Sequence, residues 1–296
     1  MSLYEKPTLS RRTLLKTAAV AVVASGTGAP NAWGLYFGGK SGATIVVSGG
    51  SFTGAEHGIK TGSIDAGTTV AIGGAGLTAH GAAGNGLDVG ALAGSLTITG
   101  GAFTAAAAHA FYTTDVSGSI AVSDASFISS DTGFMLDAAN TLSGTLTLIN
   151  VVATSTAANH ALHLGGNSGG TLVVQSGAYS GIAAGINLHA VSAGTSVTIG
   201  GSALTVTGST SAALRCQQAV TGSLVVTGGT FTAAAASQFA VSFLDDITDR
   251  VFKRCDRLWN GCRAGPSSLW PSSSPRPTPC SCSTRTRSVH LLCVGW

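Results

Sequence analysis

Residues 94–117, GSLTITGGAFTAAAAHAFYTTDVS, hold the pattern on which most of the chain is built, because their apolar columns return about every 25 residues. The first column is an apolar pair two residues apart: Ile45/Val47, Val70/Ile72, Leu96/Ile98, Ile120/Val122, Leu146/Leu148, Leu172/Val174, Val197/Ile199 and Leu224/Val226. Such spacing turns both side chains to one face of a β-strand. Seven residues after the first member of each pair comes a second anchor: Phe52, Leu77, Phe103, Phe127, Ala153, Tyr179, Leu204 and Phe231. A third strand follows as small, apolar, variable, apolar, seen in Gly58-Ile59-Lys60-Thr61, Gly133-Phe134-Met135-Leu136 and Ala161-Leu162-His163-Leu164. Gly34-Leu35-Tyr36-Phe37 fits as a half coil.

Three short strands cannot bury an apolar face alone. Stacked coil on coil, they build one continuous core, with each backbone hydrogen-bonded to its neighbours about 4.8 Å above and below. The pattern therefore predicts an all-β chain, a right-handed parallel β-helix of about eight coils with three short strands per coil; the hand follows from the general rule for parallel crossovers. An antiparallel sandwich or barrel also has short strands and frequent turns, but it does not require a whole coil signature to recur.

The charge is divided unevenly along the 296 residues. Residues 1–33 hold four basic and one acidic side chain, residues 34–249 three basic and ten acidic, and residues 250–296 eight basic and one acidic. The repeat body is thus acidic, with no Lys or Arg between Lys60 and Arg215. Nucleic acid and anionic lipid are poor partners for such a surface. Three segments are expected: an export signal (1–33), the β-helix (34–249), and a basic Cys/Ser/Pro-rich tail (250–296) that is disordered or out of frame. In the first, Ser10-Arg11-Arg12-Thr13-Leu14-Leu15-Lys16 precedes a short apolar run from Thr17 to Ala24, about half of the roughly 20 residues that a membrane span needs. In the tail, Cys280-Ser281-Cys282 is too close, and Cys255 and Cys262 are wrongly spaced, for a zinc knuckle. No cofactor or metal is expected.

Because inward positions belong to the core, any chemistry must use outward side chains. The outward column of the third strand runs Tyr36, Lys60, Asp88, Tyr112, Met135, His163, Asn187, Arg215 and Ser242, the most varied column of the repeat. Two residues farther along come Asp137, Gly165 and His189 on successive coils. Stacking gathers Asp137, His163, Asn187, His189 and Arg215 as ligand-binding candidates, with Gly165 leaving a notch about 9.6 Å across between Asp137 and His189. The simpler reading of these residues is a row of solvated strand positions. Catalytic residues are not expected: a glycosidase needs two carboxyl groups about 5 to 9.5 Å apart, and no second acid is found to pair with Asp137.

The first strand has a different outer face. The residue before its first anchor is Thr44, Thr69, Ser95, Ser119, Thr145, Thr171, Ser196 or Ser223, hydroxyl-bearing in all eight coils. Hydroxyl ladders and strand propensity account for this column. A flat, charge-free Thr/Ser face also resembles that of ice-binding solenoids, a third functional reading.

Arg11-Arg12 and their surroundings resemble a twin-arginine export signal. Together with the Gly-Gly-x-Phe-Thr corners, as in Gly100-Gly101-Ala102-Phe103-Thr104, and the Ala/Gly/Thr/Ser-rich coils, they make residues 10–249 similar to the passenger region of bacterial autotransporter adhesins and related surface β-helix proteins. The resemblance implies an exported protein at the cell surface, associated with the outer membrane or extracellular, that adheres to glycans or to other cells. It also implies a C-terminal membrane barrel, for which no run of alternating ten-residue strands follows residue 250. The alternative, from another class, is a polysaccharide-processing β-helix enzyme similar to pectin lyases and polygalacturonases. The calcium-binding Gly-Gly-x-Gly-x-Asp repeat of β-rolls is missing.

Overall fold

The computed structural model describes residues 32–38, 42–167, 169–218, 220–235 and 238–243, with the backbone of two further strands, Ala24–Gly26 and Ser288–His290. Apart from those two strands, the segment carrying Arg11 and Arg12 and the basic tail lie outside the described residues. The strands form three sheets, each taking one strand per coil: the first strands make a first sheet of eight members, the second strands a second sheet of ten and the third strands a third sheet of nine. Every pairing is parallel except that of Ser288–His290 with Thr230–Thr232. The chain is a parallel β-solenoid of eight coils, and no helix occurs among the described residues.

Residue identity sets the register. In the first sheet Ile45, Val70, Leu96, Ile120, Leu146, Leu172, Val197 and Leu224 stand directly over one another. In the third, Leu35, Ile59, Leu87, Phe111, Phe134, Leu162, Ile186, Leu214 and Val241 do the same. A slip of one residue would turn a whole column to solvent, so the alternation enforces the stack. Aromatic rings reinforce it in the middle coils. Phe103 stacks on Phe127 with centroids 5.0 Å apart and Phe111 on Phe134 at 4.0 Å, while Phe127 meets Phe111 and Phe134 edge-on at 5.9 and 5.3 Å.

The second sheet departs from the expected column at two coils. Ala79, not Leu77, pairs with Phe52 and Phe103, and Val206, not Leu204, pairs with Tyr179 and Phe231. Both coils have two additional residues at the preceding corner, closed by hydrogen bonds from Leu77 N–H to Gly74 O (3.1 Å) and from Leu204 N–H to Gly201 O (3.2 Å). The two leucines remain fully buried. Each is accommodated by a glycine in the next coil: a Cβ at Gly101 would lie 3.0 Å from Leu77 Cδ2, and one at Gly229 would lie 3.1 Å from Leu204 Cβ. Gly177 likewise sits between Val151 and Leu204 in the register. Each buried leucine of this column therefore stands against a glycine, as close packing of successive layers demands.

Candidate binding stripe on the third sheet

The register of the third sheet places Tyr36, Lys60, Asp88, Tyr112, Met135, His163, Asn187, Arg215 and Ser242 in one outward line. The other sheets differ sharply. Strands of the first sheet present no ionisable side chain outward, only Ser, Thr, Ala and Val apart from Gly73 and the exposed Ile149, and the hydroxyl column from Thr44 to Ser223 is in register throughout, with Ser119 Oγ donating to Ser95 Oγ at 3.2 Å. Among the second-sheet strands from Ser51–Gly54 to Thr230–Ala233, His80 is the one ionisable side chain that faces outward.

A second line of functional groups, missed in the sequence, occupies the corner that leads into the third strand. Its positions are His57, Asn85, His109, Thr132 and His160, each one residue before the small residue that opens the strand. At this corner the carbonyls accept from the coil before, as in Gly58 N–H to Asn85 O (3.0 Å), while the corner amides look for other acceptors. Side chains supply them. His57 Nδ1 accepts from Asn85 N–H at 2.9 Å, Asn85 Oδ1 from His109 N–H at 3.1 Å, and His160 Nδ1 from Ala184 N–H at 3.1 Å. The available signal was the recurrence of His or Asn at coil spacing, set in a corner rather than a strand.

The two lines join into four clusters. In the first coils, Trp33 stacks obliquely on Tyr36 at 4.6 Å, donates from Nε1 to Glu56 Oε2 at 2.9 Å, and lies 5.6 Å from the Lys60 ammonium. Glu56 Oε1 is 3.2 Å from His57 Nε2, and Asn85 Nδ2 donates to Asp88 Oδ2 at 2.8 Å. Burial lowers the pKa of His57, against the pull of the Asp88 carboxylate 3.5 Å away.

In the second cluster, His109 stacks on Tyr112 at 5.6 Å, and Tyr112 donates to Asp137 Oδ2 at 2.8 Å. Asp131 Oδ2 is 3.7 Å from His109 Nδ1, and its Oδ1 accepts from Asn159 Nδ2. Burial lowers the pKa of His109 although Asp131, Asp137 and Asp88 all oppose that shift. Asp131 is thus a second acid in the neighbourhood of Asp137. It was overlooked because it stands in the corner.

In the third cluster, the rings of His160 and His163 stack at 5.4 Å, and Asn187 Nδ2 lies 2.7 Å from His163 Nδ1. Burial pushes both imidazoles down to about 4, helped by Arg215 at His160 and by the neighbouring histidines at His163. In the fourth, His189 Nδ1 is 2.9 Å from Gln217 Oε1, and its Nε2 is 2.9 Å from Gln218 Nε2.

The five expected ligand-binding residues therefore share one face but not one pocket. Asp137 bonds back to Tyr112 in the coil before, His189 bonds forward to the coil after, and the ladder shifts register between Leu136 and Thr141. His163 and Asn187 project outward from the sheet yet are buried, at 8% and 0% exposure, so they are not the solvated strand positions of the simpler reading. Arg215 stands beside Asn187 in the register and is partly exposed.

The geometry offers planar hydrogen-bonding groups and aromatic rings along one side of the stack. Among the described residues no group of three or more His, Cys, Asp or Glu is arranged to hold a metal ion. No helix among them is long and apolar enough to cross a membrane. Neither a protein-family model, nor a curated protein, nor a solved structure matches the chain.

Proposed function

We propose that the protein is an exported, adhesin-like surface solenoid that binds glycans weakly along its third sheet. The observation that carries this reading is the segregation of side chains: imidazoles, carboxylates, amides and aromatic rings line one face, while the first sheet presents no ionisable group. Sugars are recognised by such planar polar groups together with aromatic surfaces. Glu56, Asp88, Asp131 and Asp137 outnumber Lys60 and Arg215 along the face, which favours neutral over acidic saccharides. The test is calorimetric titration of the purified protein with neutral and acidic oligosaccharides, together with protease accessibility on intact cells. Absence of binding to any saccharide would remove the glycan reading, and protection from protease would remove the surface location.

A polysaccharide-processing enzyme is the second reading. The convergence of Asp88, Asp131 and Asp137 on His109 and Tyr112 favours it, since carboxylates around a phenol and an imidazole are acid–base equipment. Release of reducing ends from a polysaccharide, abolished in Asp137→Asn, would establish turnover. Binding without release supports the adhesin-like reading.

A further inference from the structure

His57 stands between two hydrogen-bonding states. Its Nδ1 accepts from Asn85 N–H at 2.9 Å, so the proton of the neutral ring is on Nε2, which lies 3.2 Å from Glu56 Oε1. Nδ1 is also 3.5 Å from Asp88 Oδ2. One nitrogen thus faces an amide donor that needs it bare and a carboxylate that needs it protonated. A proton on Nδ1 meets Asn85 N–H donor to donor, and Asp88 is then the acceptor at hand.

Asn85 transmits the change, because every one of its polar groups is engaged. Besides the bond to Nδ1, its carbonyl accepts from Gly58 N–H at 3.0 Å, its Nδ2 donates to Asp88 Oδ2 at 2.8 Å, and its Oδ1 accepts from His109 N–H at 3.1 Å. Through that last bond Asn85 holds the corner from which His109 stacks on Tyr112, and Tyr112 in turn holds Asp137. The imidazole has no room to turn aside instead. It belongs to a residue only 7% exposed, and a Cβ at Gly84 would lie 2.7 Å from both Nδ1 and Cε1, so the next coil packs directly on the ring. An amide that loses its acceptor against such a ring has to move away.

Among the described residues, the charged groups that face the ring are Glu56 and Lys60 of its own coil and Asp88 of the next; Trp33, from the coil before, does not titrate. Burial lowers the pKa of His57 below the ordinary 6.5, with Asp88 opposing and the Lys60 ammonium, 3.4 Å from Nε2, adding to the shift. The neutral arrangement is therefore complete above about pH 6.5 and is lost as the pH falls below it.

We propose that His57 is an acid-operated latch on the candidate binding stripe: on protonation its Nδ1 passes from the Asn85 amide to the Asp88 carboxylate, Asn85 lets go of His109, and the His109–Tyr112–Asp137 cluster loosens. Glycan held at that cluster is released in acid. The release rests on the glycan reading, whereas the latch itself does not.

The test compares the full chain with His57→Asn, because Asn85 shows that an Asn side chain at this corner position accepts the next coil's amide without titrating. Protection of the Asn85 and His109 amides against hydrogen exchange is measured by NMR at about pH 7 and about pH 4.5, relative to the amides of the first sheet. The expected result is protection at least tenfold lower in acid, with no such loss in His57→Asn. Retained protection in the unsubstituted chain, or the same loss in His57→Asn, overturns the latch. Both proteins are also titrated with cellohexaose, mannohexaose and maltohexaose at the same two pH values. Binding at least tenfold weaker in acid in the unsubstituted chain alone supports release, and a pH-independent affinity beside lost protection overturns it. No binding of any of the three removes the glycan reading and release with it, while the exchange result still decides the latch. Should His57→Asn fail to fold, Asp88→Asn takes its place. It keeps an acceptor for Asn85 Nδ2 but removes the charge, so the loss of protection moves to lower pH, and an unmoved loss overturns the latch.

Discussion

Tyr112 and Asp137 are joined across one coil step, the phenol donating to Oδ2 at 2.8 Å. Removal from water, then this bond and the carboxylate charge, push the phenol up to about 12 from its ordinary 10.0. A phenol raised above its unfolded value stabilises the fold fully below pH 10, and that contribution is lost as the pH rises from about 10 through about 12. Titration of phenolate absorbance should show a tyrosine ionising near pH 12 that is missing from Tyr112→Phe. A Tyr112→Phe variant with an unaltered alkaline titration would refute the assignment.

The imidazoles of His160 and His163 set the acid limit. Each is lowered from 6.5 to about 4, so the unfolded chain takes up protons that the folded chain refuses. Stability is complete above about pH 6.5 and falls as the pH drops from there to about 4, by roughly 3 kcal/mol for each imidazole taken alone. Protonating His160 also destroys the acceptor for Ala184 N–H. Thermal melts from pH 7 to pH 4 should show this decline, and His160→Gln should flatten it. A melting temperature independent of pH over that range would contradict the burial of both rings.

Tyr179 stands in the core column between Ala153 and Val206, and its hydroxyl is buried without a partner. Tyr179→Phe removes an unpaired polar group while keeping the ring, so stability should rise by about 1 kcal/mol. Phe103→Ala removes a ring stacked on Phe127 and should cost about 3 to 5 kcal/mol. Denaturant unfolding measures both. Destabilisation by Tyr179→Phe would mean that the hydroxyl is satisfied.

Gly177 has a positive φ of 118°, and a Cβ there would lie 2.0 Å from the carbonyl oxygen of Val151. Gly177→Ala should therefore destabilise by more than about 1 kcal/mol. Gly76, in the long corner before Leu77, has nothing within 4 Å of the same atom, and Gly76→Ala should be neutral or stabilising by up to about 1 kcal/mol. Equal effects of the two substitutions, read from unfolding midpoints, would show that the tight coil contact at Gly177 is not rigid.

The fold was legible because each inward column repeats one chemical property, and a core position can be recognised without knowing its neighbour. Ile45 through Leu224 fell into register as read. The second column failed at Leu77 and Leu204, where an apolar residue at the expected spacing stood in for the true column member two residues later. Counting from the first strand cannot detect a corner lengthened by two residues when the added segment itself ends in a buried leucine. The candidate site was read less fully for a different reason. Its outward strand residues follow from alternation, but Glu56, His57, His109, Asp131 and His160 come from a corner, where no period tells which way a side chain points. The burial of Asn187 was invisible as well, since it depends on what lies beside the column and not on the residue.

The pairing of buried leucines with glycines in the second sheet limits how the gene can change length. Arrays of repeats gain and lose copies by unequal recombination, and a uniform stack would tolerate the loss of any one. Here, loss of the coil that carries Gly177 would set Val151 directly beneath Leu204, and loss of the one that carries Gly101 would place Ala125 over Leu77. A deletion that keeps each leucine with its own glycine is the one that packs. Coil deletions in this protein are therefore expected to be tolerated only in blocks that leave each leucine beside its glycine.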